Sequence, residues 1–327
     1  DESPTTPPDR VREPAQQAHR PESRALGVRL PRWLAHPRRW EHLRRIRTLD
    51  PVADNDEIVW LTMRQEFPWD YVQGAGIAFM RDYGVPSIAE LLDRTGEFES
   101  DGVKRYDDTL LIGDEAGAEG LDSPRGRAAV RRLNRIHGHY DIPNDEFAYV
   151  LATTIVGPVR WIDEFGWRRL DQIELEAFAR FTTRFGELMG IRGLPSTYEG
   201  YLQLLLDYER RRFAFSPANR RVAEASLRIA GQTTRGVPAP VVRRVAIALM
   251  DHPLREALGL PRQPAWLGRL VRRGLRLRAL ALRFAPPRRE AKPYAATTYP
   301  HGYTLADLGP RSMLAHLNAR AEQLRAD

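Results

Sequence analysis

The chain has 327 residues, of which 42% are hydrophobic and 28% are charged, so it is long and apolar enough to bury a core. The net charge is +7, and all basic residues except Lys104 and Lys292 are arginine. The absence of cysteine excludes disulfides, thiolate metal ligands, thiol nucleophiles and covalently attached c-type haem.

The sequence contains no clear signal for membrane insertion or export. No run of 18 apolar residues predicts a transmembrane helix, and the N-terminal residues lack the apolar core of a signal peptide. We therefore expect a protein of the cytoplasm or of the membrane periphery. Export stays open because a leader could precede the first residue.

The chain begins with a polar, proline-bearing arm at 1–47, which the composition predicts to be extended or disordered. A helical body is predicted over 48–250, and a basic amphipathic helix with a tail, packed on or extending that body, over 251–327. Alternating strand patterns are nearly absent, so the predicted fold class is all-α, with one multi-helix domain. From helical spacing, caps and glycine stops we predict helices at 54–67, 67–84, 87–96, 123–138, 144–166 (kinked or split at Gly157-Pro158), 171–190, 196–213, 217–231, 239–250 and 265–284. Ser87, Ser123 and Asn144 are the predicted caps of three of them.

The segment RRLNRIHGHYDIPND, residues 131–145, carries two histidines two positions apart. His137 follows Leu133 by four residues, so it lies on the apolar side of its helix, near the C-terminus. A histidine in the last turn of a helix interacts favourably with the helix dipole and often has no other role. Alternatively, His137 and His139 begin a non-haem metal centre, whose further candidate ligands are Asp141, Asp145 and Glu146. A third interpretation is non-covalent haem, which requires one imidazole, apolar neighbours, and arginines for the propionates.

Longer patterns favour the third interpretation. The order LDRTGEF, KRYDDT, RRLNRIHGHYDIPNDEFAYVLATTIVGPVRWIDEFGWR and FGELMGIRGLP, spread over about residues 48–230, resembles the oxygenase family that contains the fungal mycophenolate-pathway oxygenase and the bacterial latex-clearing proteins, or rubber oxygenases. The resemblance implies an all-α domain, with globin-like helix packing around a haem pocket, and haem b as the iron cofactor. It makes 48–250 a haem-binding catalytic domain.

The resemblance also implies roles for particular residues. His137 matches the proximal haem ligand, and Arg105 and Thr109 reproduce an arginine and a threonine four apart near the distal haem face. A guanidinium and a hydroxyl one helical turn apart share a face, where they can polarise dioxygen or contact a propionate. Among the arginines before the histidine, we expect Arg132 to contact the cofactor. An alternative for Arg105 is a solvated ion pair with Asp101 or Asp108.

Two positions depart from the latex-clearing pattern: Asn134 stands one turn before the histidine, and Asp108 stands where some rubber oxygenases carry a basic residue. These departures put rubber cleavage itself in doubt. A general base is not identifiable, although Glu97 and Glu99 lie nearby in sequence.

The function implied by the resemblance is a haem b-dependent oxygenase that uses dioxygen on a hydrophobic substrate, with oxidative cleavage of a carbon–carbon double bond of an isoprenoid as the candidate reaction. Alternatives are a related haem protein with peroxidase or monooxygenase activity, and a non-catalytic basic helical protein that binds lipids or membranes.

The segment 264–289 interleaves tryptophan, leucines and phenylalanine with arginines. This pattern is typical of a helix lying in a membrane interface, and equally of a docked helix whose arginines face solvent. No nucleic-acid motif accompanies it, so we expect no nucleic-acid partner.

Overall fold

Helices and short turns form the backbone of the computed structural model, which describes residue 36 and residues 38–319, and no β-strand occurs in that part of the chain. The all-α prediction is confirmed. The helices are α1 (Glu41–Ile46), α2 (Asn55–Leu61), α3 (Pro68–Asp82), α4 (Pro86–Thr95), α5 (Glu97–Ser100), α6 (Gly102–Gly117), α7 (Pro124–His137), α8 (Asn144–Phe165), α9 (Gln172–Leu188), α10 (Tyr198–Arg212), α11 (Pro217–Thr233), α12 (Ala239–Leu249), α13 (His252–Ala257) and α14 (Ala265–Leu282), with a π-helical turn at Thr62–Glu66 and 3-10 turns at Leu305–Asp307 and Arg311–Met313.

The described residues belong to one unit, Arg32–Asp327. Most of the predicted arm at 1–47 lies outside them. Its last residues form α1, whose Leu43 and Ile46 are buried. Among the described helices, none is both long enough and apolar enough to cross a membrane.

Local side chains explain where several helices begin. The Ser123 hydroxyl accepts a hydrogen bond from the Gly126 amide, as predicted, and Asp171 begins α9 with a capping box. The prediction that Ser87 caps α4 is wrong, since its hydroxyl donates to the Glu146 carboxylate. Asn144 does not cap α8 either, because its side-chain amide bonds the backbone of Arg192 at 2.9 and 3.0 Å.

The closest helix crossing is that of α3 and α8. A Cβ atom placed on Gly74 would lie 2.4 Å from the Pro158 Cα atom, and one on Gly157 would lie 2.8 Å from the Ala78 Cβ atom. At the Gly157-Pro158 pair, the small side chains therefore let α3 approach the backbone of α8 closely. A kink or a split was expected at this pair; the split does not occur, because α8 runs continuously from Asn144 to Phe165.

The two ends of the described chain pack onto this body. The helix α14 lies against α8 and α12, and its Ala279 is buried. The chain then returns over α6 and α7, where Leu308 and Leu317 join Leu111, Ile112 and Ile136 in a small apolar cluster. This return, residues 294–309, is called the C-terminal strap below.

Candidate functional site

A cavity of about 1130 Å³ lies among the helices of the body. This volume slightly exceeds the roughly 300–1000 Å³ of typical small-molecule sites, so it can hold a large ligand or two ligands together. Side chains from α3, α6, α7, α8, α9, α11 and α12 line it. Much of the lining is apolar and includes Ile136, Phe147, Val150, Phe181, Phe185 and Met189.

His137, the last residue of α7, lines this cavity, and its ring lies against that of Phe147 with the centroids 5.3 Å apart. Its Nδ1 atom is buried and finds no hydrogen-bond partner within the described residues. Burial, reinforced by the positive charge of Arg105, lowers the pKa of His137 to about 4. The imidazole is therefore neutral at pH 7, which is the form that binds a metal.

Arg105 and Thr109 lie one turn apart on α6, and both line the same cavity. The Thr109 hydroxyl donates to the Arg105 carbonyl oxygen at 2.8 Å, and the guanidinium of Arg105 lies 4.7 Å from the centroid of the Phe98 ring. The structure thus brings together the three residues His137, Arg105 and Thr109 at one cavity.

The alternative prediction, an ion pair of Arg105 with Asp101 or Asp108, is wrong. No salt bridge involves Arg105 in residues 36 and 38–319; Asp101 pairs with Arg311, and Asp108 pairs with Lys104. The guanidinium of Arg105 therefore keeps its positive charge beside the cavity, unneutralised by a described carboxylate.

His139 lies apart from this group. It is exposed, its Nδ1 atom lies 2.8 Å from the Arg135 carbonyl oxygen, and its ring packs edge-on against that of His316. Within the part of the chain that the structure describes, no three histidine, aspartate or glutamate side chains cluster as metal ligands. A non-haem centre built on His137 and His139 has no ligand set there.

Arg132 does not lie where the cofactor prediction expects it. It is 1% exposed and is absent from the cavity lining. Its guanidinium donates to the carbonyl oxygens of Leu308 and Ala306 at 2.8 and 3.0 Å and to the side-chain oxygen of Asn318 at 2.9 Å. Arg132 therefore fastens the C-terminal strap to α7, and the candidate cofactor site omits it.

Two carboxylates of α6 also hold the strap, a role that the sequence pattern did not indicate. Asp107 is fully buried and accepts hydrogen bonds from the hydroxyls of Tyr294 and Thr298 at 2.7 and 2.6 Å and from the Thr298 amide at 2.8 Å. Asp108 accepts from the Tyr299 hydroxyl and the Gly309 amide.

The two glutamates near Arg105 divide between cavity and surface. Glu97 lines the cavity, whereas Glu99 lies outside it and pairs with Arg228. Two further carboxyls line the cavity. Glu146 was expected from the sequence only as a ligand of a non-haem centre, and Asp82 was not expected at all, because tertiary packing brings it to the cavity. The Thr153 hydroxyl donates to Asp82 at 3.0 Å, and burial raises the pKa of Asp82 well above its usual value.

Among the described residues, a neutral imidazole without a partner at Nδ1 and a guanidinium without a salt bridge line one large, mostly apolar cavity, an arrangement that can enclose a prosthetic group or an apolar ligand. The family model described as "ER-bound oxygenase mpaB/B'/Rubber oxygenase, catalytic domain" matches residues 66–283. The chain belongs to this family.

Curated relatives carry the same name. The chain is 30% identical to the ER-bound oxygenase mpaB' of Penicillium brevicompactum over 75% of its own length and 63% of the relative's. It is 31% identical to the ER-bound oxygenase mpaB of the same organism over 65% of its length and 63% of the relative's, and 29% identical to that of Penicillium roqueforti (strain FM164) over 60% and 72%. The chain thus spans about 63% of the length of the first two relatives.

Proposed function

We propose that this chain is a haem b-dependent oxygenase that acts on a hydrophobic substrate. The observation that carries the proposal is the neutral imidazole of the half-buried His137. Its buried Nδ1 atom has no hydrogen-bond partner among the described residues, and the ring lines a largely apolar cavity of about 1130 Å³. The family description and the names of the relatives support the oxygenase class.

The residues present fit haem b. His137 offers an unprotonated ring nitrogen, apolar side chains surround it, and the chain has no cysteine that could serve as a thiolate ligand. In this proposal His137 holds the iron and Arg105 supplies the positive charge for a propionate or for the reacting oxygen. When bound, haem iron supplies the dioxygen chemistry that amino-acid side chains lack.

Arg105 and Thr109 act on the reactants through charge and hydrogen bonding. Fixed donors that face developing negative charge in a site with little water stabilise it strongly, because the protein dipoles are already oriented. The backbone of α6 fixes the spacing of the two groups, and no described carboxylate neutralises the guanidinium.

The candidate reaction is oxidative cleavage of a carbon–carbon double bond. One dioxygen molecule adds across the bond, the carbon–carbon and oxygen–oxygen bonds break, and each carbon leaves as a carbonyl, so no external electrons are consumed. An isoprenoid is the first substrate to test, since the cavity wall is largely apolar and the family description includes a rubber oxygenase.

The experiment that tests the cofactor is the ultraviolet–visible spectrum of the purified protein, as isolated, after titration with haemin, and after reduction with dithionite. His137→Ala is compared with His139→Ala, whose exposed ring lies outside the cavity lining. We expect a Soret band that His137→Ala abolishes or shifts and that His139→Ala leaves unchanged. A protein that stays colourless with added haemin, or equal losses in the two variants, would contradict haem ligation by His137.

Turnover with an isoprenoid alkene under dioxygen, under nitrogen and with added peroxide tests the reaction. The proposed chemistry requires dioxygen, gives two carbonyl products per molecule cleaved, and carries both atoms of labelled dioxygen into them. Turnover that peroxide alone supports identifies the peroxidase alternative. Incorporation of a single labelled atom without chain cleavage identifies a monooxygenase.

A further inference from the structure

We propose that the outer face of α14 is a docking surface for an anionic lipid bilayer. The face is defined by Trp266, Leu270 and Leu277 of α14, with Phe284 in the turn that follows the helix; their side chains are 59%, 60%, 65% and 50% exposed. The three helical residues follow one another at intervals of four and seven, which at 100° per residue places them on one narrow stripe. Large side chains exposed together at this spacing form an apolar surface rather than scattered surface residues.

The opposite face of α14 explains why the stripe is left outside. Arg272 pairs with Glu164 of α8 and donates to the Leu249 carbonyl oxygen of α12, and Ala279 is buried. Leu282 of the same helix packs against the main apolar core, so α14 is attached to the body through both polar and apolar contacts of its inner face. Trp266, Leu270 and Leu277 take no part in this attachment and stay exposed.

Trp69, at the start of α3, extends the apolar surface. The Arg278 guanidinium lies 3.9 Å from the centroid of the Trp69 ring and donates to the Asp70 carboxylate at 2.9 Å. Trp69 is 40% exposed. Tryptophan is the side chain most suited to the boundary between water and hydrocarbon, because its ring is apolar and its N–H is polar.

The arginines around the stripe favour a partner with negative charge. Residues 257–289 contain nine arginines and no acidic residue. Arg269 and Arg273 flank the stripe and form no salt bridge within the described part of the chain. An apolar stripe bordered by unpaired arginines is complementary to lipid headgroups that carry negative charge above an acyl layer.

A bilayer fits this surface better than a nucleic acid does. A nucleic acid would use the arginines and could stack on Trp266 and Phe284, but it leaves the exposed Leu270 and Leu277 unexplained, since leucine forms no stacking platform for bases. The inner side of α14 packs against α12, whose Val242, Val245 and Leu249 line the cavity. A substrate dissolved in the bilayer would thus meet the protein beside the cavity wall; this consequence alone rests on the proposed function.

The test is sedimentation of the full chain with phosphatidylcholine vesicles, with and without 30% phosphatidylserine, at low and high salt. We expect binding to the anionic vesicles that weakens with salt. Leu270→Glu/Leu277→Glu should lower the partition coefficient at least tenfold, and Arg269→Glu/Arg273→Glu should lower it by more than about fivefold per arginine, because charge is both lost and reversed. Leu206→Glu, at a 38% exposed leucine on α10, is the matched control and should bind as wild type.

Circular dichroism of each variant establishes that it is folded, and substitutions at side chains so exposed leave the core intact. Equal losses in the α14 and Leu206 variants overturn the proposal. Failure to sediment with any vesicle also overturns it. Salt-sensitive binding to poly(U) RNA would then identify a nucleic-acid surface. A dimer in sedimentation equilibrium that Leu270→Glu/Leu277→Glu dissociates would identify an interface between two copies of the chain. These readouts use no substrate, so they stand whether or not the chain proves to be a haem oxygenase.

Discussion

Neighbouring side chains of α6 differ in how they are held. Asp107 and Asp108 are buried and accept hydrogen bonds from the C-terminal strap, so each carboxylate has its partners within the protein, although Asp108 also lines the cavity. Arg105 and Thr109 line the same cavity, and the Arg105 guanidinium pairs with no described carboxylate. The two carboxylates anchor the fold, and the guanidinium presents its charge to a ligand.

The helix α7 repeats this division. Arg132 donates three hydrogen bonds to the region of the strap, whereas the buried Nδ1 atom of His137 has no partner in the part of the chain that the structure describes. A buried polar atom without a partner destabilises a folded protein by about 1–3 kcal/mol, so its persistence suggests a role in binding. In both helices, the residues bonded to the strap are structural, and Arg105 and His137, which lack a described polar partner for the charge or for Nδ1, are candidates for function.

The largest effect should come from removing an anchor. Arg132→Met keeps much of the apolar stem but leaves two buried carbonyls and the Asn318 amide oxygen without their donor. We expect the free energy of unfolding to fall by about 3–4 kcal/mol, measured by urea denaturation. Arg131→Met, at the exposed neighbouring position, should change it by less than about 0.5 kcal/mol. Similar losses in both variants would remove the distinction between the two kinds of residue.

The second effect should appear in turnover rather than in stability. Arg105→Met removes the unpaired charge beside the cavity and should lower kcat about a hundredfold, as loss of a preorganised donor does. Because the guanidinium has no described ion pair to lose, unfolding should change by less than about 1 kcal/mol. Steady-state kinetics and urea denaturation of the same preparation separate the two readouts. A variant that loses stability but keeps its turnover would place Arg105 among the anchors.

A smaller effect is expected at Thr109. Thr109→Val keeps the shape of the side chain and removes the hydroxyl, so we expect kcat to fall about tenfold, the equivalent of one hydrogen bond. Thr109→Ser restores a hydroxyl and should recover most of the activity. Serine as slow as valine would show that the methyl group, not the hydroxyl, matters at this position.

The smallest effect is the contribution of Asp82 to the pH dependence of the free energy of unfolding. Burial raises the folded-state pKa of Asp82 above its unfolded value, so the folded protein holds a proton there that the unfolded chain releases. The contribution to stability is therefore present at low pH and declines as pH rises above about 4, by at most about 1.4 kcal/mol per pH unit. Asp82→Asn should remove this part of the slope in urea denaturation between pH 4.5 and 7. A slope unchanged by the substitution would mean that Asp82 is ionised in the folded state.

Much of the fold could be predicted from the sequence because its signals are local. Ser123 with Pro124 and the residues of the capping box at Asp171 mark helix starts without reference to the rest of the chain. At Pro158 local signals were not enough to show that α8 continues, because the close packing of Gly74 against α8 depends on a helix some eighty residues earlier.

The candidate site divides in the same way. The spacing of Arg105 and Thr109 and the apolar side of α7 bring three residues to one cavity, and the sequence carries both signals. Arg132 is one of several arginines on α7. Only its hydrogen bonds to the strap, about 170 residues later in the chain, give it a structural role. Asp82 likewise joins the cavity through tertiary packing, which no local pattern encodes.

The strap has a consequence for where this molecule can be divided. The family model matches residues 66–283, whereas the strap that holds α6 and α7 comes after them, at 294–309. A fragment ending at residue 283 would keep every candidate site residue and yet lose the strap groups that hydrogen-bond Asp107 and Arg132. The segment that similarity recognises is thus shorter than the unit that these hydrogen bonds join.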